Sequence, residues 1–194
     1  MQTLTIQSYQ ADSEYESLDF RAQNLRGAEF ENCTFKQCNF EGFEFGDAKF
    51  IDCTFESCNL SNSKLRQTGF QRCTFIEVKL IGVDFSLVKT FSLSLKFFKC
   101  QLDFCGFRNL NLSNTPFLSC SMKECSFSEC DLSKSKFENS DLQGSLFSNC
   151  KLQQADFRAS VNLGLEPEFN QLKGAQFKLE QLPGLLEKYQ LKIE

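Results

Sequence analysis

The sequence predicts a repeat solenoid, and three observations predict it. A large apolar residue returns every fifth position, a small residue sits two places ahead of it, and the rest of the five is polar. The series starts at Phe20 and passes through Leu25, Phe30 and Phe35 to Phe85, then resumes two residues out of step at Phe97 and runs to Phe157. Period five matches neither the helix repeat nor the strand repeat. A fixed internal period outranks local propensity as a signal of architecture.

The second register is clearest in cysteine. All 11 cysteines occupy the slot two residues before a large apolar one. Elsewhere that slot holds residues such as Ala28, Ala48, Ser63, Val78, Thr115 and Ser135. Each unit therefore turns one large and one small side chain inward and three polar positions to water. Three readings of the thiols exist. A disulfide framework is opposed by the odd count and by the direction of every Cys into one narrow core. A metal site is opposed by the lack of histidine and of any Cys-x-x-Cys. The preferred reading is cysteine as a small buried hydrophobe, with no metal and no cofactor expected.

Ala155-Asp156-Phe157-Arg158-Ala159 and Cys130-Asp131-Leu132-Ser133-Lys134 carry a unit of small, Asp/Asn, Leu/Phe, polar, polar. In these units the chain resembles the pentapeptide-repeat family over about residues 18–160. The resemblance implies an all-β fold: a right-handed quadrilateral parallel β-helix, one unit per side and four units per coil. Residues 20 apart then stack, so Cys33, Cys53 and Cys73 form a column, as do Phe35, Phe55 and Phe75. Beyond the slip, Phe97, Phe117, Phe137, Phe157 and Phe177 share another. Coils about 4.8 Å apart give about seven coils and a rod of roughly 34 Å.

The expected organisation is one repeat domain over residues 1–194: an N-terminal cap (1–17), a first coil block (18–85), a frame-shift bulge (86–96), a second block (97–160) and a C-terminal tail (161–194). In the cap, Thr3–Ile6 alternates as a short strand does. In the bulge, alternation puts Phe91, Leu93, Leu95 and Phe97 on one side, too many for one coil side. A bulge that packs its own side chains is the preferred account. The alternative is an exposed apolar patch around Phe91, Leu93 and Phe98 that meets a partner. In the tail, Leu182, Leu185, Leu186 and Tyr189 lie on one face of a short C-terminal α-helix with Pro183 in its first turn, and Leu191 and Ile193 alternate beyond it. Two turns of helix are not stable alone in water. The face either caps its own coil or pairs with a second copy.

That tail is similar to those of the Qnr quinolone-resistance and microcin-immunity subgroup, as is the mid-chain slip. The resemblance implies a homodimer through the tail, and a DNA mimic that binds DNA gyrase or topoisomerase IV. Long projecting loops of some Qnr proteins have no counterpart here, so no loop residue carries over. The acidic residues Glu29, Glu31, Glu41, Glu44, Asp47, Asp52 and Glu56 are the candidate partner-binding face. Residues 1–60 carry a net charge of −7 and residues 61–110 a net of +5, within a chain total of −4. Taken whole, the rod falls far short of the one charge per about 1.7 Å of duplex DNA. The basic band, which includes Lys64, Arg66, Arg72 and Lys89, argues against a uniform mimic. It suits an acidic partner or plain solvation, and direct nucleic-acid binding is not expected.

No catalytic constellation is present in the pattern. Histidine is absent, no glycine-rich loop opens a helix, and this solenoid offers no concave pocket. No segment reads as a signal peptide or membrane span, so a cytoplasmic location is expected. Two function classes remain: protection of a type II topoisomerase from quinolones or a peptide toxin, or a generic interaction scaffold with an unrelated partner.

Overall fold

The large residue of each five is inward, and the 20-residue register between paired strands shows that four successive units close one coil and that the coils stack. The computed structural model describes residues 8–192. Thr3–Ile6 and Ile193 lie outside that range. The chain is a parallel β-helix whose sides are numbered here by their inward columns, starting from Phe20. The first side, with Phe20, Phe40, Leu60 and Leu80, is joined by single parallel bridges such as Asp19 to Asn39 and Asn39 to Asn59. The third and fourth sides carry longer ladders. Strands β1 (Tyr9–Ala11), β3 (Glu29–Glu31), β5 (Lys49–Ile51) and β7 (Gly69–Gln71) build the third. Strands β2 (Glu14–Glu16), β4 (Thr34–Lys36), β6 (Thr54–Glu56), β8 (Cys73–Ile76), β9 (Leu95–Phe98) and β11 (Phe117–Leu118) build the fourth. On the second side β10 (Gly106–Arg108), β12 (Ser126–Ser128) and β13 (Leu146–Ser148) pair beyond the slip.

The register is the predicted one. Phe30 pairs with Phe50 and Phe35 with Phe55, all in parallel. Across the slip the offset becomes 22 residues, with Phe75 opposite Phe97 and Phe85 stacked on Phe107 at 4.9 Å. The two columns read separately from the sequence are thus one. On the fourth side rings stack from Tyr15 through Phe35, Phe55, Phe75 and Phe97 to Phe177, each 4.7–5.4 Å from the next. Offset stacking at that spacing is favourable for aromatic quadrupoles. The ladder begins upstream of Phe20, because Tyr15 already stacks on Phe35 at 5.0 Å.

Backbone amides at the corners and flanks of each coil donate to the next coil, as in Asp52 N–H to Gln71 O at 2.9 Å. The small-slot thiols join this scheme. Cys53 Sγ donates to Phe30 O at 3.3 Å and Cys73 Sγ to Phe50 O at 3.2 Å. All 11 cysteines are free and buried. Burial in an apolar column pushes the Cys53 and Cys125 thiols up to about 12, which keeps them neutral. Three large residues of the repeats are buried in the small slot: Phe43, Leu110 and Leu95, which pairs with Cys73; Phe43 is tolerated because Ser63 sits in the same slot one coil on.

The slip is a bulge confined to the corner between the third and fourth sides. Lys89 still bridges to Gly69 at an offset of 20, while Cys73 pairs with Leu95 at 22. The extra residues lie between them. Leu95 and Phe97 are fully inward and Leu93 is half-buried against the core. Phe91 is 83% exposed, so the expected one-sided row of four does not form: the corner turns Phe91 out.

The tail covers the last coil. A 3-10 turn (Leu179–Gln181) leads into α1 (Leu182–Leu186), followed by a second 3-10 turn (Glu187–Tyr189). Gln181 Nε2 donates to Phe157 O at 2.7 Å and Ser160 O at 2.8 Å, satisfying carbonyls with no further coil to accept. Gly184 is required because a Cβ there would stand 2.0 Å from Leu163 O.

Candidate functional site

Outward positions alternate with the inward ones, so every candidate site lies on the rod exterior. The seven acidic residues do project outward, but they do not share a face. Glu41 is on the first side, Glu44 and Asp47 on the second side and its corner, Glu29, Glu31 and Asp52 on the third side and its corner, and Glu56 on the fourth. This corrects the expectation of one acidic face. In each coil the inward registers fix only which residues are out, and successive fives turn to successive sides.

Stacking also pairs several of these acids with cations one coil on. Glu29 meets Lys49 at 2.9 Å, Asp52 meets Arg72 at 2.6 Å, and Glu44 meets Lys64. Hydrogen bonds from Arg72 and Lys64 hold the Asp52 and Glu44 carboxyls below their ordinary range. Such exposed pairs contribute little to stability, but they remove charge from any long-range field. Glu31 takes a hydrogen bond from the Tyr9 hydroxyl at 2.7 Å and Glu41 one from Asn59 at 3.2 Å. Glu31, Glu41, Asp47 and Glu56 form no ion pair among the described residues.

The apolar patch is rearranged. Leu93 turns to the core, leaving Phe91 and Phe98 of the expected set at the surface. Phe98 is half-buried because it stands in an outward row with Ile76 and Leu118, its partners in β8 and β11. Sequence reasoning passed over Ile76 and Leu118, although their positions one residue after Phe75 and Phe117 were available to it. Phe104, at a corner with φ +61°, is also 63% exposed. A bulky residue rarely takes that conformation, and here it gains no burial.

The tail divides the proposed interface. Leu185 packs on the core. Leu182, Leu186, Tyr189 and Leu191 are exposed, an apolar surface at the end of the rod. The single helical face expected of these residues breaks because the helix spans only Leu182–Leu186.

Among the described residues no group of three or more His, Cys, Asp or Glu side chains is placed to hold a metal ion. No helix there is long and apolar enough to cross a membrane.

Residues 100–177 match the family model for the pentapeptide repeat region, and residues 2–80 match that for the SV2A/B/C luminal domain. The stretch that neither covers contains the slip. No curated protein matches the chain. Among solved structures the chain is similar to full-length QnrB1, a plasmid-mediated fluoroquinolone resistance protein. That match covers 94% of this chain and 100% of QnrB1, at 18% identity and a TM-score of 0.60. It is also similar to HetL, a pentapeptide repeat protein involved in heterocyst differentiation regulation from the cyanobacterium Nostoc sp. strain PCC 7120. There 86% of this chain and 85% of HetL are covered, at 15% identity and a TM-score of 0.52. At such identities the likeness is one of fold.

Proposed function

This chain belongs to the pentapeptide-repeat family, and from that premise we propose that it is a non-enzymatic binding protein that protects a type II topoisomerase. The enzyme is DNA gyrase or topoisomerase IV, and the threat a quinolone or a peptide toxin. The observation that carries this reading is the end-to-end match to the QnrB1 rod, which leaves no part of that chain uncovered. Charge supports it at one end. Residues 1–60 hold a net −7 in about three coils, or about one charge per 2 Å at 4.8 Å per coil, before Lys64 and Arg72 of the following coil offset Glu44 and Asp52. Duplex DNA carries about one per 1.7 Å. The acids encircle all four sides there, as phosphates encircle a duplex. The mimic is therefore the N-terminal end and not the whole rod. Two copies join through Leu182, Leu186, Tyr189, Leu191 and Ile193, which places the acidic ends outermost. The partner enzymes work on DNA in the cytoplasm, and the protein acts there.

Gyrase supercoiling in the presence of a quinolone tests this reading. Added protein restores supercoiling, and Glu31→Lys with Glu41→Lys abolishes the effect while the fold persists. No restoration at any protein concentration, with no inhibition in the drug's absence, overturns it.

A second reading is a scaffold for an unrelated partner. It is favoured by the outward row Ile76, Phe98 and Leu118 and by the 83% exposure of Phe91, because exposed apolar clusters mark interaction sites. Under it, Phe98→Asp rather than the acidic reversals removes activity in cells.

A further inference from the structure

The basic band splits on the surface. Arg72, Lys99 and Arg108 are paired with Asp52, Glu77 and Glu129. Arg66 and Lys89 are not paired among the described residues, and neither is Arg26 from the otherwise acidic N-terminal third. These three line one open groove of about 1080 Å³ along the second side.

Its floor is made by glycine. Gly46 stands between Arg26 and Arg66 in the outward row, so that position carries no side chain, and the Arg26 stem lies 3.6 Å from where a Cβ would be. Arg26 and Arg66 are two coils apart, about 10 Å at 4.8 Å per coil. Lys64 also lines the groove but is held by Glu44, and Arg21 is held by Asp19. The remaining lining is of mixed polarity, with Asp47, Gln23, Asn24 and Gln67.

We infer that this groove docks an acidic peptide segment of a partner protein, with two of its carboxylates on Arg26 and Arg66. Carboxylates three residues apart on a polyproline II segment point the same way and lie about 9 Å apart, close to the two-coil offset of Arg26 and Arg66. Guanidinium forks receive carboxylates through two parallel hydrogen bonds. A nucleic-acid backbone fits the same groove poorly. Its phosphates bring only acceptors and negative charge to the surface, so Asp47 and Glu44 repel it. A peptide backbone supplies N–H donors for those carboxylates and for the side-chain amides. The assignment stands apart from the topoisomerase reading, since it uses the cations that a DNA mimic does not need.

The test is a titration of isotope-labelled protein, at low salt, with a capped, otherwise uncharged peptide bearing two glutamates three positions apart. Amide shifts are expected at Gly42, Gly46 and Gln67. Arg26→Ala combined with Arg66→Ala is expected to weaken binding about tenfold or more, with core amides unmoved. A control peptide with glutamine for glutamate reads the same contact without altering the protein, and is expected to lose the shifts. Equal shifts with that control, no shifts at all, or tighter binding by a single-stranded oligonucleotide at the same amides would each overturn the assignment.

Discussion

The coils before the slip and those after it solve one packing problem in two ways. Before it, phenylalanine fills both the third and fourth sides, so rings meet edge-to-face around the coil: Phe30 with Phe35 at 5.3 Å, Phe50 with Phe55 at 5.3 Å and Phe70 with Phe75 at 5.8 Å. After it, phenylalanine keeps to the opposed second and fourth sides. Leu102, Met122 and Leu142 line the first side, and Leu112, Leu132 and Leu152 the third. The small slot changes too. Cysteine serves in both blocks, five before the slip and six after it, but in the later coils Ser135 and Ser140 also donate to Leu112 O and Phe117 O at 2.7 and 3.0 Å. The hydroxyl takes the carbonyl that a thiol takes elsewhere. The coil thus constrains filled volume and carbonyl satisfaction, not residue identity. The changeover coincides with the slip, where half-buried Leu93 is the inward residue between Phe70 and Leu112.

The largest expected effect tests what the two blocks share. Phe55→Asp puts an unpaired charge between Phe35 and Phe75, 4.8 and 5.0 Å away, and abolishes folding of the middle coils. A circular dichroism melt unchanged from the parent excludes the four-per-coil register. Next comes the contrast itself. Phe50→Leu removes edge-to-face contacts with Phe35, Phe45 and Phe55, whereas Phe127→Leu removes one with Phe117. At about 0.5–1.5 kcal/mol per aromatic pair, the first costs at least about 1 kcal/mol more in urea unfolding. Equal losses would erase the distinction between the blocks.

A smaller effect is common to both. Thiols that ionise at about 12 in the fold ionise near about 8.5 when unfolded. Below the unfolded value they are neutral in both states and contribute no pH dependence. Above it the unfolded state alone loses protons, so stability falls as pH rises from about 8.5 towards the folded value. Melting temperatures under reducing conditions decline across that window, and thiol reagents fail to label native protein. A flat profile contradicts burial of the thiols. The smallest effect belongs to the slip: Phe91→Ser changes stability by less than about 0.5 kcal/mol, whereas Leu95→Ser, at 2% exposure, costs several times more. Reversal of that order places the inward residues of the bulge elsewhere.

Sequence alone determined the inward registers and the two-residue slip, while the four-unit coil and its columns came from the family resemblance. The registers follow from a period that repeats more than twenty times, so each is specified by many independent residues. Tertiary structure decided the rest. A period of five says which residues point out but not which outward residues become neighbours, because those lie 20 or 40 positions apart and their contacts depend on coil stacking and corner geometry. That is why the acids spread over four sides and lost charge to Lys49, Lys64 and Arg72. Leu185 left Leu182 and Leu186 for the core because the helix is only five residues long, less than one and a half turns, and Phe91 turned outward at a corner that alternation does not describe. The groove between Arg26 and Arg66 exists only because Gly46, unremarkable in the chain, falls between them when the coils stack.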